Sequence, residues 1–74
     1  MQGEFPNYYN IISNNIKNLR ISNGISQESF AEKLGCSREY ISRLENHHEQ
    51  ISLQMMLNVS KVFNIKPQDL FEET

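Results

Sequence analysis

Residues 26 to 46 decide the fold, and they read Ser-Gln-Glu-Ser-Phe-Ala-Glu-Lys-Leu-Gly-Cys-Ser-Arg-Glu-Tyr-Ile-Ser-Arg-Leu-Glu-Asn. Ser26 is placed to cap a helix, because its side-chain oxygen can accept a bond from a free N–H of the first turn. The apolar residues that follow at helical spacing are Phe30, Ala31 and Leu34. Gly35 then stands where a helix end needs a left-handed backbone. This half of the stretch therefore predicts one short helix.

A second helix is predicted two residues later. Ser37 can cap it, and its apolar side consists of Tyr40, Ile41 and Leu44. Only about three residues separate the two helices, which is too few for an antiparallel pair, so they must cross steeply. The small side chain of Ala31 suits a close crossing. The stretch therefore predicts a helix-turn-helix.

Three further helices are predicted outside this stretch. The first has apolar residues on one face, and these are Tyr9, Ile12, Ile16 and Leu19. Ser52 is predicted to cap the fourth helix, whose apolar face comprises Leu53, Met56, Leu57, Ser60 and Phe63, with Val59 beside them. Pro67 is favoured at the first position of a short final helix. No alternating β-branched run occurs. We therefore expect an all-α fold, a compact five-helix bundle that contains the helix-turn-helix.

The length of 74 residues allows one domain with a single core. Residues 1–7 show no periodicity and are predicted to form a flexible arm ahead of a domain at 8–74. The single cysteine excludes an internal disulfide framework, and the chain has neither an apolar run of about 18 residues nor a signal-peptide pattern. We therefore expect a cytoplasmic protein without a membrane span.

The helix-turn-helix stretch resembles the Cro/CI-type (Xre-type) family. The pattern is Ser-Gln-Glu-x-Phe-Ala-Glu-Lys-Leu-Gly-x-Ser-Arg-x-Tyr-Ile-Ser-Arg-Leu-Glu-Asn, and the resemblance runs from about Ile12 to Phe71. The family includes phage repressors, restriction-modification controller proteins and many small bacterial regulators. The resemblance implies a lambda-repressor-like DNA-binding domain and a sequence-specific transcriptional regulator. It does not distinguish a controller protein from a phage-type repressor.

The second helix of such a motif enters the major groove by its N-terminal half. Because Ile41 and Leu44 must face the core, the helical period turns four candidate base-contacting residues outward: Arg38, Glu39, Ser42 and Arg43. Arginine can donate two hydrogen bonds to guanine O6 and N7, and glutamate can accept one from a cytosine amino group. The alternative is a charged face that contacts only solvent.

Five residues are candidates for contact with the DNA backbone: Gln27, Ser37, Tyr40, Asn46 and His48. Gln27 lies at the start of the first motif helix, where free N–H groups favour an anion. The resemblance implies that it contacts a phosphate and can bond the start of the recognition helix; the alternative is a plain polar residue of the first turn. Tyr40 could donate its hydroxyl to a phosphate or only pack at the helix edge. The resemblance also implies that Arg20 and Glu45 form a partly buried structural ion pair.

A single unit of this size reads few bases, so we expect a homodimer on a palindromic operator in double-stranded DNA. Its two recognition helices, at about Ser37 to Asn46, would enter successive major grooves about 34 Å apart. The candidates for the dimer interface are Val62, Ile65, Leu70 and Phe71. Their alternative role is to close the core.

The net charge of −2 is unusual for a DNA-binding domain, because duplex binding depends on neutralising phosphates. The loop His47-His48-Glu49-Gln50 also departs from the resembling family, which usually has Gly and Lys or Arg there. Both features favour an alternative function, an antitoxin-like or adaptor module that binds protein and has little DNA affinity. Arg38 and Arg43 on the exposed helix argue against it.

A metal site or a nucleophilic cysteine is a further alternative, since Cys36, His47 and His48 carry suitable groups. Adjacent histidines do not easily bind one ion in a closed tetrahedral site, and no carboxylate clearly completes either arrangement. A small buried side chain is the better interpretation of Cys36. We therefore expect no metal, no cofactor, no small-molecule substrate and no enzymatic activity.

Overall fold

The computed structural model describes residues 5–73 and contains four α-helices followed by a 3-10 helix. The α-helices are α1 (Tyr8–Ser22), α2 (Gln27–Leu34), α3 (Arg38–Glu45) and α4 (Leu53–Phe63), and the 3-10 helix is Pro67–Phe71. No strand occurs among these described residues, so the all-α prediction is confirmed. Residues 5–7 precede α1, while residues 1–4 of the predicted arm lie outside the described residues.

The prediction of a fifth α-helix is wrong, because the last segment is a 3-10 helix of five residues. The N–H of Asp69 donates to the carbonyl of Lys66, three residues earlier. Pro67 has no N–H to offer, and the Asp69 carboxylate accepts a bond from the Lys66 backbone at 3.1 Å. A segment this short has room for few of the four-residue-apart backbone hydrogen bonds of an α-helix. Hydrogen bonds between residues three apart therefore satisfy more of its backbone groups.

Short polar side chains begin all four α-helices. The predicted serine caps are confirmed: Ser26, Ser37 and Ser52 each accept a bond from the backbone N–H three residues later, at 3.0, 3.0 and 3.1 Å. Asn7 caps α1 in the same way. Each cap satisfies one free donor of a first turn.

The four α-helices also end alike. The residues that follow them have left-handed backbones, and these are Gly24, Gly35, His47 and Asn64. The next residue then returns its N–H to a carbonyl five residues back, as in the bond from His48 to Arg43 at 2.8 Å. Glycine adopts this backbone without strain, whereas His47, with φ of 68°, incurs a cost of about 1 kcal/mol.

The core draws side chains from every helix and from the loop before α4. Its buried members are Ile12, Ile16, Phe30, Ala31, Ile41, Leu44, Ile51, Met56, Val59 and Leu70. The predicted apolar face of α4 is partly wrong, because Leu53 and Leu57 are 70% and 42% exposed. Met56 and Ser60 of the predicted face are buried, and so is Val59 beside them.

The C-terminal residues divide between core and surface. Leu70 is fully buried, so its prediction as a dimer-interface residue is wrong, and the alternative of core closure applies. Val62 and Ile65 are half-buried and pack against the core. Phe71 is 42% exposed and lies against Tyr8, with ring centroids 5.9 Å apart.

Candidate nucleic-acid interface

The crossing of α2 and α3 is built on four buried side chains, which are Phe30, Ala31, Ile41 and Leu44. Gly35, with φ of 73°, turns the chain between the helices, and Ser37 starts α3. Packing at this crossing fixes which side of α3 faces inward. The helix-turn-helix arrangement therefore follows from the local caps and from this small apolar contact.

The opposite side of α3 carries the predicted contact residues. Successive helical residues are rotated by about 100°, so Arg38, Glu39, Ser42, Arg43 and Asn46 fall within an arc of about 140°. Arg38, Glu39, Arg43 and Asn46 are exposed, and Ser42 is half-buried. The structure thus brings all four predicted base-contacting residues onto one face, with Asn46 at its C-terminal end.

A buried ion pair joins α1 to α3. Arg20 donates from Nε to Glu45 Oε2 at 2.7 Å and from Nη2 to Glu45 Oε1 at 3.0 Å. Its Nη1 donates to the carbonyl of Ile25 at 2.8 Å. The Glu45 and Arg20 side chains are only 1% and 11% exposed. The two residues of the implied structural pair therefore meet in a bidentate geometry that holds the inner side of α3.

Gln27 connects this ion pair to the surface of α3. Its amide Nε2 donates to Glu45 Oε1 at 3.0 Å, and its Oε1 accepts from Arg38 Nη1 at 3.3 Å. An amide nitrogen carries two N–H groups, and within residues 5–73 only one of them has an acceptor. Gln27 can therefore orient Arg38 and still offer one donor to an anion at the start of α2.

Arg43 has a partner in the loop after α3. Its Nε lies 3.3 Å from Glu49 Oε1, and the two side chains are 52% and 36% exposed. Tyr40 lies beside this pair and is half-buried. Burial, together with the negative charge of Glu49, raises the pKa of the Tyr40 hydroxyl. At neutral pH this group is thus a neutral O–H that can donate to a phosphate oxygen.

The remaining backbone candidates lie at the two ends of α3. The hydroxyl oxygen of Ser37 is engaged as the helix cap, while its O–H is still able to donate. Asn46 Nδ2 lies 3.5 Å from Ser42 Oγ. His48 is exposed. The neighbouring His47 instead contacts α1, with its Nε2 at 2.8 Å from Asn14 Oδ1, and so holds the loop in place.

The formal charges on the outward face of α3 and on Glu49 in the loop after it sum to zero. Arg38 and Arg43 contribute two positive charges, and Glu39 and Glu49 contribute two negative charges, so their sum is zero. A surface of this kind attracts phosphate weakly at long range, because the attraction scales with the number of unpaired cations. Recognition by this surface would depend on the geometry of individual hydrogen bonds.

Two polar residues with structural roles were missed at the sequence level. Asn15 donates from Nδ2 to the carbonyls of Leu70 and Glu72 at 2.7 and 2.8 Å, and so ties the 3-10 helix to α1. The Oδ1 atom of Asn14 lies within hydrogen-bond distance of His47 Nε2. Both asparagines lie on a helix whose polar face is rich in asparagine, and no spacing signal distinguishes these two from the others. Only the tertiary arrangement reveals them.

No cluster of three or more His, Cys, Asp or Glu residues able to hold a metal ion occurs within residues 5–73. Burial raises the pKa of the Cys36 thiol, which disfavours the nucleophilic thiolate.

Within residues 5–73, no helix is both long enough and apolar enough to cross a bilayer.

Two short helices that cross at a tight turn, the second with arginines on its outer face, define a helix-turn-helix protein. Family comparison agrees, because the helix-turn-helix family model HTH_3 matches residues 16–70. The chain belongs to this Xre-type (Cro/CI-type) family of transcriptional regulators.

Similar proteins include an uncharacterized HTH-type transcriptional regulator of Methanocaldococcus jannaschii, which is 33% identical over 60 residues, or 81% of this chain and 91% of that protein. The propionyl-CoA carboxylase regulator of Cereibacter sphaeroides is 34% identical over 50 residues, and the match spans 68% of this chain and only 11% of that protein. Antitoxin PezA of Streptococcus pneumoniae is 33% identical over 63 residues, 85% of this chain and 40% of that protein.

A solved structure supports the fold. The restriction-modification controller protein C.AhdI from Aeromonas hydrophila superposes with a TM-score of 0.78 at 28% identity. The alignment covers 85% of this chain and 96% of that one. The chain therefore has the fold of a controller protein.

Proposed function

We propose that this protein is a cytoplasmic, sequence-specific regulator of transcription that inserts α3 into the major groove of double-stranded DNA. The observation that carries the proposal is the outward face of α3. Its polar side chains lie within one arc, and the buried Glu45, about 20° from Arg38 around the helix, is fixed by the pair with Arg20. A rigidly held helix with two outward arginines suits hydrogen bonding to base edges.

The base contacts are assigned to four residues of this face. Arg38 and Arg43 each donate to a guanine, Glu39 accepts from a cytosine amino group, and Ser42 contacts either base type. Contacts to the DNA backbone are assigned to Gln27, Ser37, Tyr40, Asn46 and His48. Phosphate contacts from both ends of α3 would fix its register in the groove.

The regulator acts as a homodimer on a palindromic operator. Support comes from an apolar surface patch formed by Tyr9, Leu53, Leu57 and Phe71, which are all at least 42% exposed. Three of them border a shallow groove of about 240 Å³, and Leu57 lies one turn after Leu53 on α4. A contiguous exposed patch of this kind is typical of an interaction site. We assign it to the second copy, so Phe71 remains an interface residue.

Selection of bound sequences from a random duplex pool, at two salt concentrations, tests the proposal. A palindromic consensus with guanines in each half-site is the expected result, and Arg43→Ala should relax preference at one position of each half-site. No enrichment by folded wild-type protein would contradict DNA recognition.

A second candidate function is a protein-interaction module. Two observations favour it: the likeness to an antitoxin over 63 residues, and the balanced charge of the α3 surface. In this case the same selection experiment yields no consensus. The patch of Tyr9, Leu53, Leu57 and Phe71 would then bind a different protein, and sedimentation of the isolated chain would show a monomer.

A further inference from the structure

Glu49 occupies an unexpected place for an acidic residue, beside the face of α3 that is proposed to enter the groove. The left-handed backbone of His47 turns the chain back after α3, and its side chain bonds to Asn14. This turn brings the Glu49 carboxylate to 3.3 Å from Arg43 Nε. A carboxylate near DNA phosphates is repelled, so its position calls for a compensating role.

The geometry of the contact leaves Arg43 able to bind a base. A guanidinium has five N–H donors, and Glu49 contacts only Nε. The two terminal amino groups remain able to donate to guanine O6 and N7 while Nε keeps its carboxylate. The contact with Glu49 and a bidentate contact with guanine are therefore compatible.

The same contact acts differently on phosphate binding. Attraction to phosphate depends on net positive charge rather than on direction, and each neutralised phosphate steepens the salt dependence. Glu49 offsets the charge of Arg43 and adds repulsion of its own. A paired Arg43 is thus a poorer ligand for phosphate than a free arginine, while its directional donors are retained.

We propose that Glu49 is a specificity-determining positioning residue that directs the Arg43 guanidinium toward a guanine and lowers its affinity for phosphate. The inference rests on the proposed function, because it requires α3 to lie in the major groove. Glu49 touches no base itself and acts through Arg43.

Two substitutions separate the charge of Glu49 from its hydrogen bond. Glu49→Gln keeps an acceptor oxygen in place and removes the charge, while Glu49→Ala removes both. Glu32→Gln is the matched control, because it removes one charge from an exposed position of α2. Circular dichroism and melting curves confirm that each variant is folded.

Dissociation constants are measured for the selected duplex, for one with the Arg43 guanine replaced, and for a random duplex, between about 50 and 200 mM salt. For Glu49→Gln we expect random-duplex affinity to rise about threefold at low salt, with a salt slope steeper by about one. For Glu49→Ala we also expect discrimination at the replaced guanine to fall about tenfold. Glu32→Gln should leave that discrimination unchanged.

The outcomes are distinguishable from failure of the proposed function. If wild-type protein selects a site but both Glu49 variants behave as Glu32→Gln does, the role of Glu49 is overturned and DNA recognition stands. In Glu49→Ala, an equal gain of affinity for all three duplexes with discrimination intact also overturns it, since Glu49 would then act only by repulsion. If folded wild-type protein selects no site, both proposals fail together.

Discussion

Two arginine–glutamate pairs hold the two sides of α3, and they differ in burial, in the number of hydrogen bonds and in the segments they join. Arg20 and Glu45 meet through two hydrogen bonds in the interior, where the glutamate side chain is 1% exposed. Arg43 and Glu49 meet through a single contact at 3.3 Å, and both are open to solvent. The first pair joins α1 to α3, and the second joins α3 to its own following loop.

The difference teaches which part of the helix is fixed and which part is adjustable. A buried charge that loses its partner has no water to replace it, so the inner pair is costly to break. A solvent-exposed pair is screened and contributes roughly 0–1 kcal/mol. The inner pair therefore holds the helix, while the outer pair can adjust its geometry to a bound ligand at little cost.

The largest effect is expected from the inner pair. Glu45→Ala leaves the Arg20 guanidinium without its carboxylate and removes the acceptor of Gln27, so it should lower the free energy of unfolding by about 3–5 kcal/mol. Urea denaturation monitored by circular dichroism measures this loss. Glu49→Ala is the matched control and should cost less than about 1 kcal/mol. Similar losses for the two variants would remove the distinction between the pairs.

Buried and exposed apolar residues should also differ in how much their substitution destabilises the fold. Leu70→Ala, in the core, should destabilise the fold by about 2–5 kcal/mol. Leu57→Ser, on the exposed patch, should cost less than about 1 kcal/mol and shift the protein toward monomer in sedimentation. Denaturation and sedimentation of both variants supply the comparison. A Leu57→Ser protein that remains a dimer would exclude this part of the patch from the interface.

A smaller gain is expected at His47, which positions the loop that carries Glu49. His47→Gly relieves the left-handed strain and loses an exposed bond to Asn14, so the net change should be a stabilisation of about 0.5 kcal/mol. Asn14→Ala serves as control, because it removes the bond alone and should slightly destabilise. Thermal melting measures both. A destabilised His47→Gly would mean that the Asn14 bond outweighs the backbone strain.

The smallest effect concerns the titration of Tyr40. Burial first, and then the charge of Glu49, raises the pKa of this hydroxyl, whereas Arg43 lowers it. The folded state thus holds the proton more tightly than the unfolded chain. The resulting stability is present below the ordinary tyrosine pKa and is lost as pH rises through the raised value.

Glu49→Gln should accordingly bring the Tyr40 pKa closer to its ordinary value, and Arg43→Ala should raise it further. Tyrosinate absorbance measures both, in a Tyr8→Phe, Tyr9→Phe background that isolates the signal. An unchanged titration in Glu49→Gln would place the carboxylate farther from Tyr40 than the structure does.

Local chemistry explains what could be predicted from the sequence. Ser26, Ser37 and Ser52 cap helices because a short side-chain oxygen satisfies the N–H three residues later, whatever the rest of the chain does. Gly35 ends α2 for a similarly local reason. The helix-turn-helix and its outward face follow from these caps and from the apolar period of two short helices.

Tertiary arrangement explains what could not be predicted. Apolar residues surround much of α4, so the helical period does not determine that Leu53 and Leu57 face solvent while Val59 is buried. The contact between Arg43 and Glu49 depends on a left-handed residue that is not glycine, which no common turn signal marks. The attachment of the 3-10 helix to Asn15 links positions 55 residues apart.

The Gln27 bridge has a consequence for how the proposed DNA preference can evolve. The side-chain amide of Gln27 bonds both Arg38 and the buried carboxylate of Glu45. Substitutions around Arg38 can therefore disturb a contact that stabilises the whole domain. Arg43 and Glu49 form an exposed pair outside this buried network. New operator preferences should therefore arise first among descendants that vary at Arg43 and Glu49, while lineages retain Gln27 and Arg38.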